Sequence, residues 1–286
     1  LRRQNFIPKF DDGYEVPTGL IYDSGDYEPA LDKALAMAGY DDLRKEQEEA
    51  RKNGKYLGIG VTTYTEICGL GPSQVAGAIG FQGGLWESAI IRVSPTGKVQ
   101  VMIGASPHGQ GEETTFAQII SDELGFPVED VELVSGDTDE TPMGWGTYGS
   151  RTTPVAGAAM VKAARKLKEK ARAMAAHLLE AAVEDIDYDD GNFFVKGSPD
   201  NAKTIQDCVL MTTLAWDLPE GMDPGFEESQ FYDPPNFVYP FGTHIAVVEV
   251  DAETGDIELK RYIAVDDCGP HINPVIVEGQ IHGGIV

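Results

Sequence analysis

The sequence has 286 residues, 42% of them hydrophobic and 24% charged, a composition that can bury the core of one large domain or two modest ones and is not that of a disordered chain. Its 22 basic residues stand against 47 acidic ones, for a net charge of −25, and such a surface repels phosphate backbones and anionic lipid, which disfavours nucleic-acid and membrane-surface binding. No apolar run approaches the roughly 20 residues of a membrane span, and Cys68, Cys208 and Cys268 form no CxxC pair, so a reducing cytoplasm fits better than a disulfide framework or a zinc site.

The start, Leu1-Arg2-Arg3-Gln4-Asn5-Phe6, lacks the apolar stretch of a signal peptide. Both ends read as cuts, so an internal piece of a longer chain is expected. Residues 1–28, rich in Gly, Pro, Tyr and Asp, read as an irregular arm. The pattern predicts a helix over 29–55, with Leu31, Ala34, Leu35, Met37 and Ala38 on its apolar face. Residues 56–66 read as a strand and 69–84 as a glycine-rich connection. A hairpin pairs 88–93 with 99–103 through Ser94-Pro95-Thr96-Gly97-Lys98. A helix over 113–124 stops at Gly125, and a short strand covers 131–134. The longest predicted helix runs over 155–182. A small hairpin turns at Asp190-Gly191-Asn192, a helix follows over 204–216, and 217–240 reads as a long Pro/Gly/Asp-rich loop. A last hairpin pairs 244–250 with 257–265. Helices and hairpins mix without regular β-α-β alternation, which predicts an α+β fold of helices and antiparallel hairpins. The expected division places an arm and helix in 1–55 and a binding domain in 56–286.

Three segments combine a strand exit with glycine and donor side chains. The first, Gly104–Thr115, carries Gly109-Gln110-Gly111 just before a helix; a helix start favours anions, and Gln110 offers both a donor and an acceptor. The plain alternative is a turn capped by Thr114 or Thr115. The second, Gly144-Trp145-Gly146-Thr147-Tyr148-Gly149-Ser150-Arg151-Thr152, contains a GxGxxG pattern. It does not follow its strand directly, and the downstream stretch 162–170 is mostly basic, so a dinucleotide fold of the NAD type is rejected. Ser150, Arg151 and Thr152 remain candidates for holding a phosphate, or Arg151 pairs with Asp137 or Asp139 and fastens the loop. The third, Asp266-Asp267-Cys268-Gly269-Pro270-His271, leads toward Asn273-Pro274 and Gln280; Cys268 also reads as a small buried hydrophobe. His108, His177, His244 and His282 lack HxH or HExxH spacing, and no metal ligand set is assigned.

Taken in order, Gly109-Gln110-Gly111 with Thr114-Thr115, Gly136-Asp137-Thr138, Gly149-Ser150-Arg151-Thr152, and Asp267-Cys268-Gly269 with Ile272-Asn273-Pro274 and Gly279-Gln280 resemble the molybdopterin-binding half of the molybdenum hydroxylases. This is the family of aerobic carbon monoxide dehydrogenase and xanthine dehydrogenase. The opening Leu1–Ile7, Tyr22–Tyr27 and the loop segments Tyr232–Asn236 and Tyr239–Gly242 are similar to the carbon monoxide dehydrogenase branch. Cys268 leans the same way, since xanthine dehydrogenases usually carry another residue there.

The resemblance implies a molybdopterin, in bacteria commonly the cytosine dinucleotide, that carries molybdenum on its own dithiolene. It implies Gln110, Gly111, Thr114, Gly149, Ser150, Arg151, Thr152, Asp267, Cys268 and Gln280 as cofactor contacts. Arg151→Ala is then expected to lower cofactor occupancy and leave the fold intact. The resemblance further implies copper in the full-length protein if the substrate is carbon monoxide, and partner subunits carrying a 2Fe-2S cluster and FAD in a dimer of heterotrimers. The location it implies is the cytoplasm or the inner face of its membrane. The copper-ligating cysteine would lie before Leu1 and the catalytic glutamate after Val286, so no base is assigned; Glu112, Glu113 and Glu278 read as capping or surface residues. The alternatives are a hydroxylase of an aldehyde or aromatic heterocycle, and a scaffold that keeps the fold and binds nothing.

Overall fold

The structure is a computed structural model that describes residues 1–286. The chain divides into two compact units, one from 1–68 with 236–270 and the other from 69–235 with 271–286. The boundary expected at 55/56 falls inside the first unit. The reason is strand pairing: Tyr56–Thr65 runs antiparallel to Phe241–Val250 along its whole length, which ties the early helices to a distant hairpin.

In the first unit Phe241–Val250 is the central strand, flanked by Tyr56–Thr65 and Ile257–Asp267. Ile245, Val247 and Ile263 pack with Ala34, Ala38 and Leu43. The single helix expected over 29–55 is two, Tyr27–Ala38 and Tyr40–Lys52. Gly39 takes φ +61° and its N–H closes the first helix on Ala36, a left-handed stop that glycine adopts at little cost. The arm is not wholly irregular. Phe6, Ile7 and Phe10 pack on Tyr27, Ala30 and Phe241, and the carboxylate of Asp23 accepts the Tyr239 N–H at 3.0 Å.

The second unit holds a four-stranded sheet in the order Glu227–Tyr232, Glu87–Val93, Val99–Ile103, Val131–Val134. The first three pair antiparallel and the last pair is parallel, with helix Glu112–Leu124 as the crossover. Helix Ala158–Leu178 buries Ala159, Met160, Ala163, Ala164, Leu167, Ala171, Met174 and Ala175. This three- and four-residue spacing lays one apolar stripe on the core.

This helix starts later than expected, because Thr152–Gly157 forms a π-helical turn, a wide turn often found beside functional sites. The connection 69–84 contains a short helix, Ser73–Ala78. The expected loop 217–240 contains strand Glu227–Tyr232, an edge strand whose exposed and half-buried positions alternate. The expected helix over 204–216 runs over Ile205–Leu214, and Thr204 and Asp207 form its capping box. In helix Pro274–Ile285 the Asn273 side chain accepts the Ile276 N–H at 3.1 Å.

Candidate cofactor-binding site

The two glycine turns of the second unit are held together by one residue, Thr147. Its hydroxyl oxygen accepts the Ser106 N–H at 3.1 Å and the Thr152 hydroxyl at 2.9 Å. Its carbonyl lies 3.3 Å from the ring Nε2 of His108. Thr147 was not among the expected site residues; a threonine inside a glycine run carries no distinctive sequence signal.

In the first turn the Gln110 side-chain oxygen accepts the His108 N–H at 2.6 Å, so the amide folds back on its own loop. Gly109 and Gly111 sit at φ +101° and +93°, a region closed to most side chains. A Cβ on Gly109 would meet nothing within 4 Å, whereas one on Gly111 would press within 2.8 Å of Ile276. Gly109 thus presents open backbone, and Gly111 lets helix Pro274–Ile285 approach. Neither Thr114 nor Thr115 caps the helix. The N-cap is Gly111, Thr114 is exposed, and the Thr115 hydroxyl donates to the Gly111 carbonyl at 3.1 Å. Glu112, at the first helical position, is buried with one carboxylate oxygen unpartnered. Burial pushes its pKa above the ordinary glutamate value.

The second turn is fastened from Gly69-Leu70, whose amides donate to the carbonyls of Ser150 and Gly149 at 3.1 and 3.3 Å. Gly146, Gly149 and Ser150 all have positive φ, at +82°, +56° and +50°. A left-handed serine is uncommon and persists only where its surroundings demand it. Ser150 and Gly149 are exposed, while Thr152 is buried.

Arg151 departs from the sequence expectation. It is fully buried, with 0% exposure, and pairs with neither Asp137 nor Asp139. Its Nη1 bonds the equally buried carboxylate of Glu87 and donates to the Gly146 carbonyl at 2.6 Å. Nε donates to Leu70 O at 2.6 Å, and Nη2 to Leu85 O at 2.5 Å. The guanidinium fork is thereby committed to protein acceptors, and desolvation of the carboxylate, not access to solvent, governs the residue. An alanine here would strand Glu87 as a buried unpaired charge, so the expectation of an intact fold for Arg151→Ala is corrected. Glu87 carries no distinctive signal in the sequence, because it opens a strand that reads as apolar.

Residues 266–270 of the third segment belong to the first unit, and His271 onward belongs to the second. Asp267 and Cys268 are exposed, and an Asp267 carboxylate oxygen accepts the Gly269 N–H at 3.0 Å. Cys68 and Cys208 are buried, but Cys268 is not, so it is no core hydrophobe. Partial burial and the carboxylates of Asp267 and Asp266 push its thiol pKa up. Behind it, Asp266 accepts the Tyr64 hydroxyl at 2.5 Å and faces His244 Nε2 at 2.8 Å. The other ring nitrogen of His244 lies 2.9 Å from the Tyr262 hydroxyl. Gln280 is exposed on helix Pro274–Ile285 of the second unit, and His271 is exposed as well.

No group of three or more His, Cys, Asp or Glu side chains could hold a metal ion, and no helix is long and apolar enough to cross a membrane. The second unit instead offers neutral donors around two left-handed turns. Open backbone at Gly109, the exposed Gly149-Ser150 edge and the amide of Gln110 fit a polar ring system or phosphate that brings its own metal.

The chain belongs to the molybdopterin-binding family: residues 33–286 match the molybdopterin cofactor-binding domain. The carbon monoxide dehydrogenase large chain of Hydrogenophaga pseudoflava is 46% identical over all of this chain and 35% of its own length. The crystal structure of a Cu,Mo-CO dehydrogenase in its carbon monoxide reduced state superposes with a TM-score of 0.93. It is 45% identical and covers 99% of this chain and 36% of its own. Quinoline 2-oxidoreductase from Pseudomonas putida 86 follows with a TM-score of 0.89 and 38% identity, over 96% of this chain and 35% of its own. The mixed helices and antiparallel hairpins expected from sequence are therefore those of a molybdenum hydroxylase large subunit. The chain spans about a third of the length of these relatives.

Proposed function

We propose that this chain is the cofactor-cradling part of a molybdenum hydroxylase large subunit that oxidises carbon monoxide to carbon dioxide with water. The observation that carries the reading is the Thr147 junction, which draws two left-handed glycine turns together and leaves neutral donors on their outer edge. The bound cofactor, read as molybdopterin cytosine dinucleotide, supplies the redox chemistry at molybdenum, with copper beside it in the full-length protein. The protein's own part is positioning. The backbone at Gly109 and Gly111, the Gln110 amide and the Ser150 hydroxyl bind and orient the ring system and its phosphates, while the buried Thr152 hydroxyl steadies Thr147 behind them. Thr114, Gly149, Asp267, Cys268 and Gln280 complete the proposed contact set. Iron–sulfur and FAD subunits, in a dimer of heterotrimers, would carry the electrons away, and the complex would work in the cytoplasm or at the inner face of its membrane.

A second reading, oxidation of an aromatic heterocycle, draws on the 38% identity to quinoline 2-oxidoreductase. Elemental analysis of the full-length protein separates the two. Molybdenum with copper is expected for carbon monoxide oxidation, and molybdenum without copper favours the heterocycle. Absence of molybdenum and of pterin fluorescence after denaturation would favour a scaffold that binds nothing.

A further inference from the structure

The ring of acceptors around Arg151 has a consequence for how the turn is made. Three parts of the chain converge on the Arg151 guanidinium: Leu70, the strand entry at Leu85 and Glu87, and Gly146. Glu87 holds a second strut. Its Oε1 accepts the Trp145 N–H at 2.8 Å, so one carboxylate grips both ends of the turn 145–151. Space behind it is closed, because a Cβ on Gly144 would collide with Glu87 Oε2 and with the backbone of Gly104. The Ser88 hydroxyl bonds the Met143 carbonyl at 2.6 Å, just outside the same turn. A turn held at Trp145, Gly146 and Arg151 leaves Tyr148, Gly149 and Ser150 exposed, with the uncommon φ of +50° at Ser150.

We propose that Glu87 and Arg151 are a pair of positioning residues that set the shape of the 145–151 turn, and that the turn's backbone and hydroxyls, not the guanidinium, meet the cofactor. The pair acts through the turn, so losing either member should loosen the same amides and the same bound group. A direct phosphate ligand would behave otherwise. Freed from Glu87, an arginine whose own charge served the phosphate would hold it at least as well.

This inference rests on the cofactor reading above, and the test separates the two. Full-length protein carrying Glu87→Gln, Arg151→Met or both would be compared at a temperature where circular dichroism shows each variant folded. Molybdenum and pterin content are expected to fall about 10- to 100-fold in each single variant, the range for outer partners that orient binding groups. The double variant should be no worse than the worse single one. Hydrogen exchange should accelerate at the amides of 145–151 in Glu87→Gln and not in helix Ala158–Leu178. If Glu87→Gln does not fold, Glu87→Asp keeps the charge and withdraws it by one methylene; intermediate occupancy with faster exchange in 145–151 is then expected. Normal occupancy in folded Glu87→Gln, with loss only in Arg151→Met, would overturn the proposal in favour of direct contact by the arginine. Unchanged exchange at 145–151 in a folded Glu87 variant would overturn it as well. If the unaltered protein holds no pterin, the cofactor reading fails instead, and the exchange data still judge the hold of Glu87 on the turn.

Discussion

Two acidic residues, one in each unit, gather several donors at the end of a strand, and they do so in different regimes. Glu87 meets a permanent cation with both side chains at 0% exposure. Asp266 meets a tyrosine hydroxyl and a histidine, with side-chain exposures of 10% for Asp266 and 19% for His244. The first hub is a salt bridge sealed from solvent on both sides. Full burial makes it an all-or-none device, because neither charge tolerates the absence of the other. The second hub works through hydrogen bonds near solvent, where each donor makes a smaller and more separable contribution. A turn that must keep left-handed residues in place needs the first kind; a strand end that supports the exposed Asp267-Cys268 segment can use the second.

The largest expected effect follows from breaking the first hub. Arg151→Met should destabilise the protein by about 3–5 kcal/mol, the cost of a stranded buried charge, read by urea unfolding. Combining it with Glu87→Gln should recover part of that loss, since the stranded charge is then gone. A loss of less than about 1 kcal/mol for the single change would put the pair in the same regime as surface ion pairs and erase the contrast.

Asp266→Ala should cost less, about 1–3 kcal/mol for a half-buried hydrogen-bonded group. It has a second readout. The Tyr64 hydroxyl is held above the usual tyrosine range by burial first and by Asp266 next. Its alkaline absorbance titration should therefore move down in the variant and stay somewhat raised.

A third carboxylate sharpens the comparison because it is buried without a cation. Glu112 lies at the start of a helix with its pKa raised by desolvation. The folded state then binds a proton more readily than the unfolded chain. The sign follows: this residue's contribution favours the fold at low pH and is lost as pH rises through the range just above the ordinary value of 4.5. Glu112→Gln should flatten that part of the pH profile and be more stable than the parent at neutral pH. Equal pH profiles for the two proteins would show that its carboxylate is solvated.

The smallest change tests neither hub and calibrates both. Thr204→Ala removes one member of the capping box on helix Ile205–Leu214 and should cost about 1 kcal/mol, measured in the same unfolding series.

Much of this is legible in the sequence. The hairpin 88–93 with 99–103, the helix ending at Gly125 and the hairpin at Asp190-Gly191-Asn192 follow from period-two patterns and turn residues, which are local. The strand Glu227–Tyr232 was not legible, because it is an acidic edge strand with only Phe231 and Tyr232 apolar, and its partner Glu87–Val93 lies far away in sequence. The helix break at Gly39 was written plainly in a glycine but masked by helical residues on both sides. For the site, both glycine turns and the donors Gln110, Ser150 and Thr152 stood out by residue type. The junction at Thr147 and the carboxylate of Glu87 did not, since each matters only through a partner remote in the chain.

The sequence by itself determined the elements, the glycines that permit left-handed turns, and a combined motif order specific enough to indicate the family. Those features depend on backbone sterics and short-range periodicity, which residue type controls directly. Tertiary structure alone decided that Arg151 faces inward to Glu87 and not outward, that Thr147 joins the two turns, and that Tyr56–Thr65 belongs with a hairpin near the other end of the chain. Burial and pairing are properties of the folded surroundings, and a charged residue's role turns on how much water remains around it.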